Sequence, residues 1–265
     1  MWPKSPVARP SLACADLGNL TVVLDLADPE QDDYGPGTYT YPSDGVFAGG
    51  NFDITNFQVG YDEENIVFKF TMGGPVENHW TSPNGMSGLT LDVYVDTDGD
   101  GQGGVALLPG RNLALAEGYA WDYAIHAEGW TAGIYTPGDP DPVQLATASE
   151  FFILADAGQQ RVTIRVPKAI LGDTPEAWRY AAIVMGQEGF PSSGVWRVRD
   201  VSVAAEQWRF GGAPEGATNH TRVLDMVWPA VGEQEAWLSA FTISDKSQTE
   251  LTAEDFATIE MFGVE

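Results

Sequence analysis

Positive charge, cysteine, histidine and helical periodicity are all scarce in this 265-residue chain, and each shortage excludes something. Thirteen Lys+Arg stand against 38 Asp+Glu, a formal charge of −25. Such a chain repels nucleic-acid phosphate and anionic lipid, so neither is an expected partner. The charge suits bound cations and neutral ligands such as sugars instead. The single cysteine, Cys14, rules out an intramolecular disulfide. The three histidines, His79, His126 and His220, form no H-x-x-x-H spacing, so no dedicated zinc site is expected. No segment approaches the ~18 consecutive apolar residues of a membrane span. Met1-Trp-Pro-Lys-Ser-Pro6 has no apolar core of the signal-peptide kind.

Catalytic signatures are missing as well. There is no G-x-x-x-x-G-K-[ST] loop, no G-x-S-x-G elbow and no dinucleotide fingerprint. A jelly-roll glycosidase needs two carboxyls about 5–9 Å apart on facing strands. No Glu-x-Asp-x-x-Glu strand is present, and Glu254 and Glu260 have the wrong spacing. The expectation is a protein that is not an enzyme.

What the chain does have is a β-rich pattern. Short runs at residues 21–26, 52–59, 66–72, 89–95, 119–127, 130–135, 161–166, 180–185 and 195–203 read as strands, separated by turn residues. Thirty Gly and 17 Pro punctuate them. Many short strands with such turns predict an all-β sandwich, of jelly-roll or immunoglobulin-like kind, with few short helices. Residues 167–172 read as one helical turn, and residues 252–262 as a short amphipathic helix or a last strand. Residues 1–17, with three prolines in the first ten, read as a tail or linker, and 18–265 as a single domain.

The most informative stretch is Leu89-Thr-Leu-Asp-Val-Tyr-Val-Asp96-Thr-Asp98-Gly-Asp100-Gly101-Gln102. An alternating strand runs into a loop with a carboxylate at every second position. Three such groups repel one another unless water or a hard cation lies between them. Asp96, Asp98 and Asp100 fill positions 1, 3 and 5 of a calcium loop, Gly101 the sharp turn, and Gln102 offers a carbonyl. Leu107 stands where the bidentate Glu of a helix-flanked loop would be, so the remaining ligands must come from elsewhere. Calcium is the expected cofactor, acting as a structural staple.

A second phrase, Asp28-Pro-Glu-Gln-Asp32-Asp33-Tyr34-Gly35-Pro36-Gly37-Thr38-Tyr39-Thr40-Tyr41-Pro42, reads as an ordered loop with tyrosine anchors. Asp32 and Asp33 are further metal candidates. Exposed aromatics are the lead to a ligand, because sugars stack their C–H faces on indole and phenol rings. Trp80 in Glu-Asn-His-Trp-Thr-Ser-Pro-Asn, Trp130 beside Gly129, and Tyr39 are the candidates. Trp121 and Trp178 read as core.

The second phrase resembles the C-terminal module of glucodextranase and related amylopullulanases. So, in the same order, do Gly50-Asn-Phe-Asp53-Ile-Thr-Asn-Phe57, Leu108-Pro-Gly-Arg-Asn112, Ala120-Trp-Asp-Tyr123, Ala205-Glu-Gln-Trp208-Arg-Phe-Gly-Gly212, Val223-Leu-Asp225 and Gln234-Glu-Ala-Trp-Leu238. The resemblance implies a β-sandwich similar to the DOMON and family 9 carbohydrate-binding folds. It further implies a non-catalytic, calcium-associated module, extracellular or at the cell surface, that binds polysaccharide, either α-glucan or cell-wall glycan. A structural envelope protein that contacts other proteins is the alternative. Haem binding, as in some DOMON-like proteins, is another, with Met72, His79 and Met86 as the nearest axial candidates.

Overall fold

The computed structural model describes residues 20–47, 49–101, 104–139, 141–172, 174–189 and 197–263. It is nearly all β. A five-stranded antiparallel sheet has the order β1-β2-β3-β11-β10, from β1 (Thr21–Ala27), β2 (Ile54–Tyr61), β3 (Asn65–Met72), β11 (Arg161–Pro167) and β10 (Phe152–Asp156). A larger sheet has the order β13-β12-β4-β7-β8-β9. Its strands are β13 (Val223–Met226), β12 (Arg179–Gly186), β4 (Leu89–Asp96), β7 (Tyr123–Glu128), β8 (Ala132–Thr136) and β9 (Val143–Thr147). β15 (Phe262–Gly263) also pairs with β12.

Alternation explains why the two sheets face each other. In β3, Ile66, Phe68, Phe70 and Met72 point inward, while Lys69 and Thr71 point out. Their register lays Phe57, Phe70 and Val162 in one cross-strand rung and Val59, Phe68 and Ile164 in the next. The larger sheet answers with a rung of Ala182, Val93, Ile125, Ile134 and Ala146. All of these side chains join one buried cluster. This is the expected sandwich.

β4 is buried on both faces along its whole length. Its second face is covered by a small third layer of β5 (Leu107–Leu108), β6 (Leu113–Leu115) and β14 (Ala257–Ile259), with the short helix α2 (Glu233–Leu238). Leu108, Leu113, Leu115, Leu238 and Ile259 pack there against Tyr94, Ile183 and Met185.

The expected helical turn is α1 (Lys168–Leu171). Residues 252–262 resolve into a 3-10 turn, Ala253–Asp255, followed by β14 and the start of β15. The strand expected at 195–203 is not formed within the described part, 197–203, which contributes only a bridge from Val198 to Gln187. That segment bonds to its own loop instead, with Ser202 N–H donating to the Phe210 carbonyl at 2.8 Å. The expected tail, 1–17, lies outside the described residues.

Candidate functional site

Three indoles meet at one end of β4. Trp80 stands between Trp130, with ring centroids 6.4 Å apart, and Trp208, at 6.1 Å. Trp80 and Trp208 are 40% and 39% exposed. These are large values for residues whose burial stabilises a fold, so their free faces need a reason. The rings tilt by 34° and 53° to one another and do not form a single flat stack.

Each indole is fixed by its own backbone device. Trp80 sits in the loop from β3 to β4, folded around Asn78. The Asn78 side-chain oxygen accepts from the Ser82 N–H at 2.7 Å and the Ser87 hydroxyl at 2.9 Å, and its amide donates to the Ser82 carbonyl at 3.0 Å. Trp130 occupies the turn between β7 and β8. The wholly buried Glu128 holds that turn by accepting from the N–H groups of Trp130 at 2.8 Å and Thr131 at 2.7 Å. Asn84 then staples the Trp80 loop to this turn through the Glu128 carbonyl, at 2.7 Å. Trp208 is carried by residues 202–212, where the Glu206 and Gln207 carbonyls accept from the N–H groups of Ser43 and Asp44 in the strap between β1 and β2.

Polar groups border the indoles. Arg199 donates to the Trp208 carbonyl, lies 6.0 Å from the Phe47 ring, and stands 3.5 Å from Glu188. Arg209 reaches the other Glu188 oxygen at 3.6 Å. Burial, then the neighbouring Arg209 charge, pulls the Arg199 guanidinium down against the opposing pull of Glu188. Apolar faces edged by charged donors and acceptors are what a hydroxyl-rich, uncharged ring requires.

The acidic loop lies at the opposite end of β4. Eight residues of strand place the two regions ~24 Å apart. Carboxylate atoms of Asp96, Asp98 and Asp122 lie within 4.8 Å of one another. Asp96 is 1% exposed and its Oδ2 has no hydrogen-bond partner; the nearest cation, Arg179, is 4.0 Å away. Burial, followed by the charges of its acidic neighbours, raises its pKa. Gly99 and Gly101 both take positive φ, as the tight turn requires. An orphaned, buried carboxylate oxygen beside two more carboxylates fits a hard cation such as calcium.

Asp122 was missed in the sequence because only the β4–β7 pairing brings it beside Asp96. Asp100 is exposed and outside the group of three. Gln102 lies outside the described residues. Asp32 joins a separate cluster, with Asp28 and Asp225. Asp33 instead accepts the Tyr41 hydroxyl.

Tyr39 is a correction. It is 2% exposed, and its hydroxyl donates to the Thr221 carbonyl at 2.5 Å, so it cannot offer a face to a ligand. Its turn-rich sequence hid the fact that the strap is itself covered by residues 211–224. Trp208 is not among the sequence candidates, although a tryptophan between Gln207 and Arg209 carries the same polar-flanked signal as Trp80. Trp121 and Trp178 are core, as expected. Met72 and Met86 pack between the sheets, and His79 pairs with Glu77 at 2.7 Å.

A family model described as the C-terminal binding-module, SLH-like, of glucodextranase matches residues 23–253. The chain belongs to this family. The resemblance carried by the sequence phrases is thereby borne out. Comparison with curated proteins gives no match. Among solved structures, a carbohydrate binding module family 9 protein from Caldicellulosiruptor kristjanssonii in complex with cellotriose is similar, at 12% identity and a TM-score of 0.28. The match covers 73% of this chain and 92% of that one.

Proposed function

We propose that this protein is a non-catalytic carbohydrate-binding module of the outer cell surface or extracellular space, whose ligand stacks on Trp80, Trp130 and Trp208. The observation behind this reading is the row of three contacting indoles, two of them about two-fifths exposed, on backbone held by buried polar side chains. Membership of a family of binding modules supports it. We take an α-glucan as the first ligand to try, because the family accompanies a glucodextranase. Arg199, Arg209 and Glu188 would hydrogen-bond the sugar hydroxyls at the edge of the platform. Calcium, held by Asp96, Asp98 and Asp122, would cross-link the β4 end to the β7 start. It would work as a clamp far from the sugar.

Affinity electrophoresis through gels containing dextran, pullulan or cell-wall glycan tests this. Retardation of the wild type in one of these gels, lost in Trp80→Ala with the fold intact, is the expected result. Equal mobility of both proteins in every gel would refute it. A second reading, attachment to protein, is favoured by Val143, Leu145, Phe152 and Leu154, all exposed on the edge strands β9 and β10. Concentration-dependent self-association would speak for that reading.

A further inference from the structure

A second acidic group lies inside the molecule, away from the β4 loop. The strap between β1 and β2 leaves β1 at Asp28, bonds to β13 through Gly35 and Leu224, and enters β2 after Asp53. Asp28 and Asp32 stand in this strap, Asp53 closes it, and Asp225 faces it from β13. Carboxylate atoms of Asp28, Asp32 and Asp225 lie within 4.8 Å of one another. Asp225 is wholly buried, Asp53 3% exposed and Asp28 7% exposed.

Their hydrogen bonds account for only part of their capacity. Asp225 accepts from Ile54 N–H at 2.6 Å and from Met226 N–H at 2.7 Å, which fixes its plane. Asp28 Oδ1 accepts from Trp228 N–H at 2.6 Å, but Asp28 Oδ2 has no partner and no solvent. Asp32 Oδ1 is likewise orphaned. Among the described residues, no Lys, Arg or His forms an ion pair with any of these four acids.

Three buried carboxylates and a fourth that is half-buried, gathered without an ion-paired cation among the described residues, are a large electrostatic cost. The seam itself is otherwise closely tied. Gly35 N–H donates to the Leu224 carbonyl at 2.7 Å, and the Gln234 side chain donates to the Asp32 carbonyl at 2.6 Å. The segments that bring the acids together are thus held by backbone and amide bonds as well as by the carboxylates themselves. A fold that builds so rigid a frame around unneutralised acids is set up for a missing positive charge.

We propose that Asp28, Asp32 and Asp225 hold a second calcium ion, distinct from the one at the β4 loop, which clamps the 28–53 strap of the smaller sheet to β13 of the larger. The donors are all carboxylate oxygen, with no nitrogen or sulfur, which selects a hard cation over zinc. Three or four carboxylates suit the high, flexible coordination of calcium better than magnesium, which keeps most of its waters. Asp53 adds charge from just outside the three. This site does not depend on the glycan reading.

The test is calcium counting on the full chain, stripped with chelator and reloaded with calcium chloride, by native mass spectrometry and calorimetric titration. Wild type should take up two ions per chain, Asp98→Ala one, and Asp32→Asn one. Asp32 is half-buried and its backbone is held separately, so this variant keeps the frame. An Asp32→Asn protein that binds as many ions as wild type overturns the proposal. Loss in Asp32→Asn but not in Asp98→Ala upholds this site and removes the loop one. Should Asp32→Asn fail to fold, Asp98→Ala decides: one retained ion supports the buried site, and none overturns it.

Discussion

Trp80 was legible as an exposed aromatic because glycine, proline and asparagine crowd around it, leaving no strand to bury it. The same cue found Trp130. What sequence could not supply was that the two loops touch, since that contact depends on Asn84 reaching the Glu128 carbonyl. Trp80→Ala is expected to weaken glycan binding at least about tenfold, or about 1.4 kcal/mol, as truncation of a central aromatic contact does. Glu128→Ala touches no ligand but frees the N–H groups of Trp130 and Thr131. It should weaken binding as well, with the Trp130 fluorescence band shifted even without sugar. Glu128→Gln, which keeps one acceptor oxygen, should restore much of the loss; identical affinity in Glu128→Ala and wild type would remove this positioning role.

At the scale of elements, β4 organises the molecule. Its inner residues Leu89, Leu91, Val93 and Val95 were readable as one face of an alternating strand. Its outer face was not, because nothing in Thr90, Asp92, Tyr94 and Asp96 announces burial. Arg111 explains Asp92: the pair meets at 2.5 and 2.9 Å in the interior, with His126 at 3.0 Å on the facing strand. Burial alone would raise the Asp92 carboxyl, but Arg111 and His126 outweigh it and hold it well below the usual range. Asp92→Ala would remove the carboxylate that meets the buried Arg111 charge. We expect a loss of about 3–5 kcal/mol in urea unfolding, because half of a buried ion pair is worse than none. A change under 1 kcal/mol would contradict that picture. The third layer escaped sequence reading for a simpler reason: strands of two or three residues, such as β5 and β14, are too short to show a period.

Across the whole molecule, charge sets the response to solution conditions. With a formal charge of −25, self-repulsion favours unfolding, and added salt screens it. Melting temperature should therefore rise with sodium chloride, most steeply after chelation. Asp200 and His220, 3.2 Å apart, contribute to both the acid and the alkaline limb. Burial raises Asp200, but the His220 hydrogen bond and the Arg222 charge prevail and hold it at about 2, below its ordinary 3.8. Its contribution is present above about pH 4 and lost as pH falls toward 2. Burial lowers His220, yet the Asp200 bond prevails and raises it. Its contribution is complete below about pH 6.5 and lost as pH climbs through the folded value. Asp200→Asn should flatten both limbs of a urea-midpoint profile, and an unchanged profile would place the pH response elsewhere.

Whether the three indoles form a sugar platform is read from their own fluorescence. The full chain with calcium would be titrated with isomaltotriose and maltotriose beside Trp80→Ala and Trp208→Ala. A saturable change in wild type with one of these sugars, absent from Trp80→Ala and weakened in Trp208→Ala, is the predicted result. A response of equal size and midpoint in all three proteins would place the sugar away from these indoles.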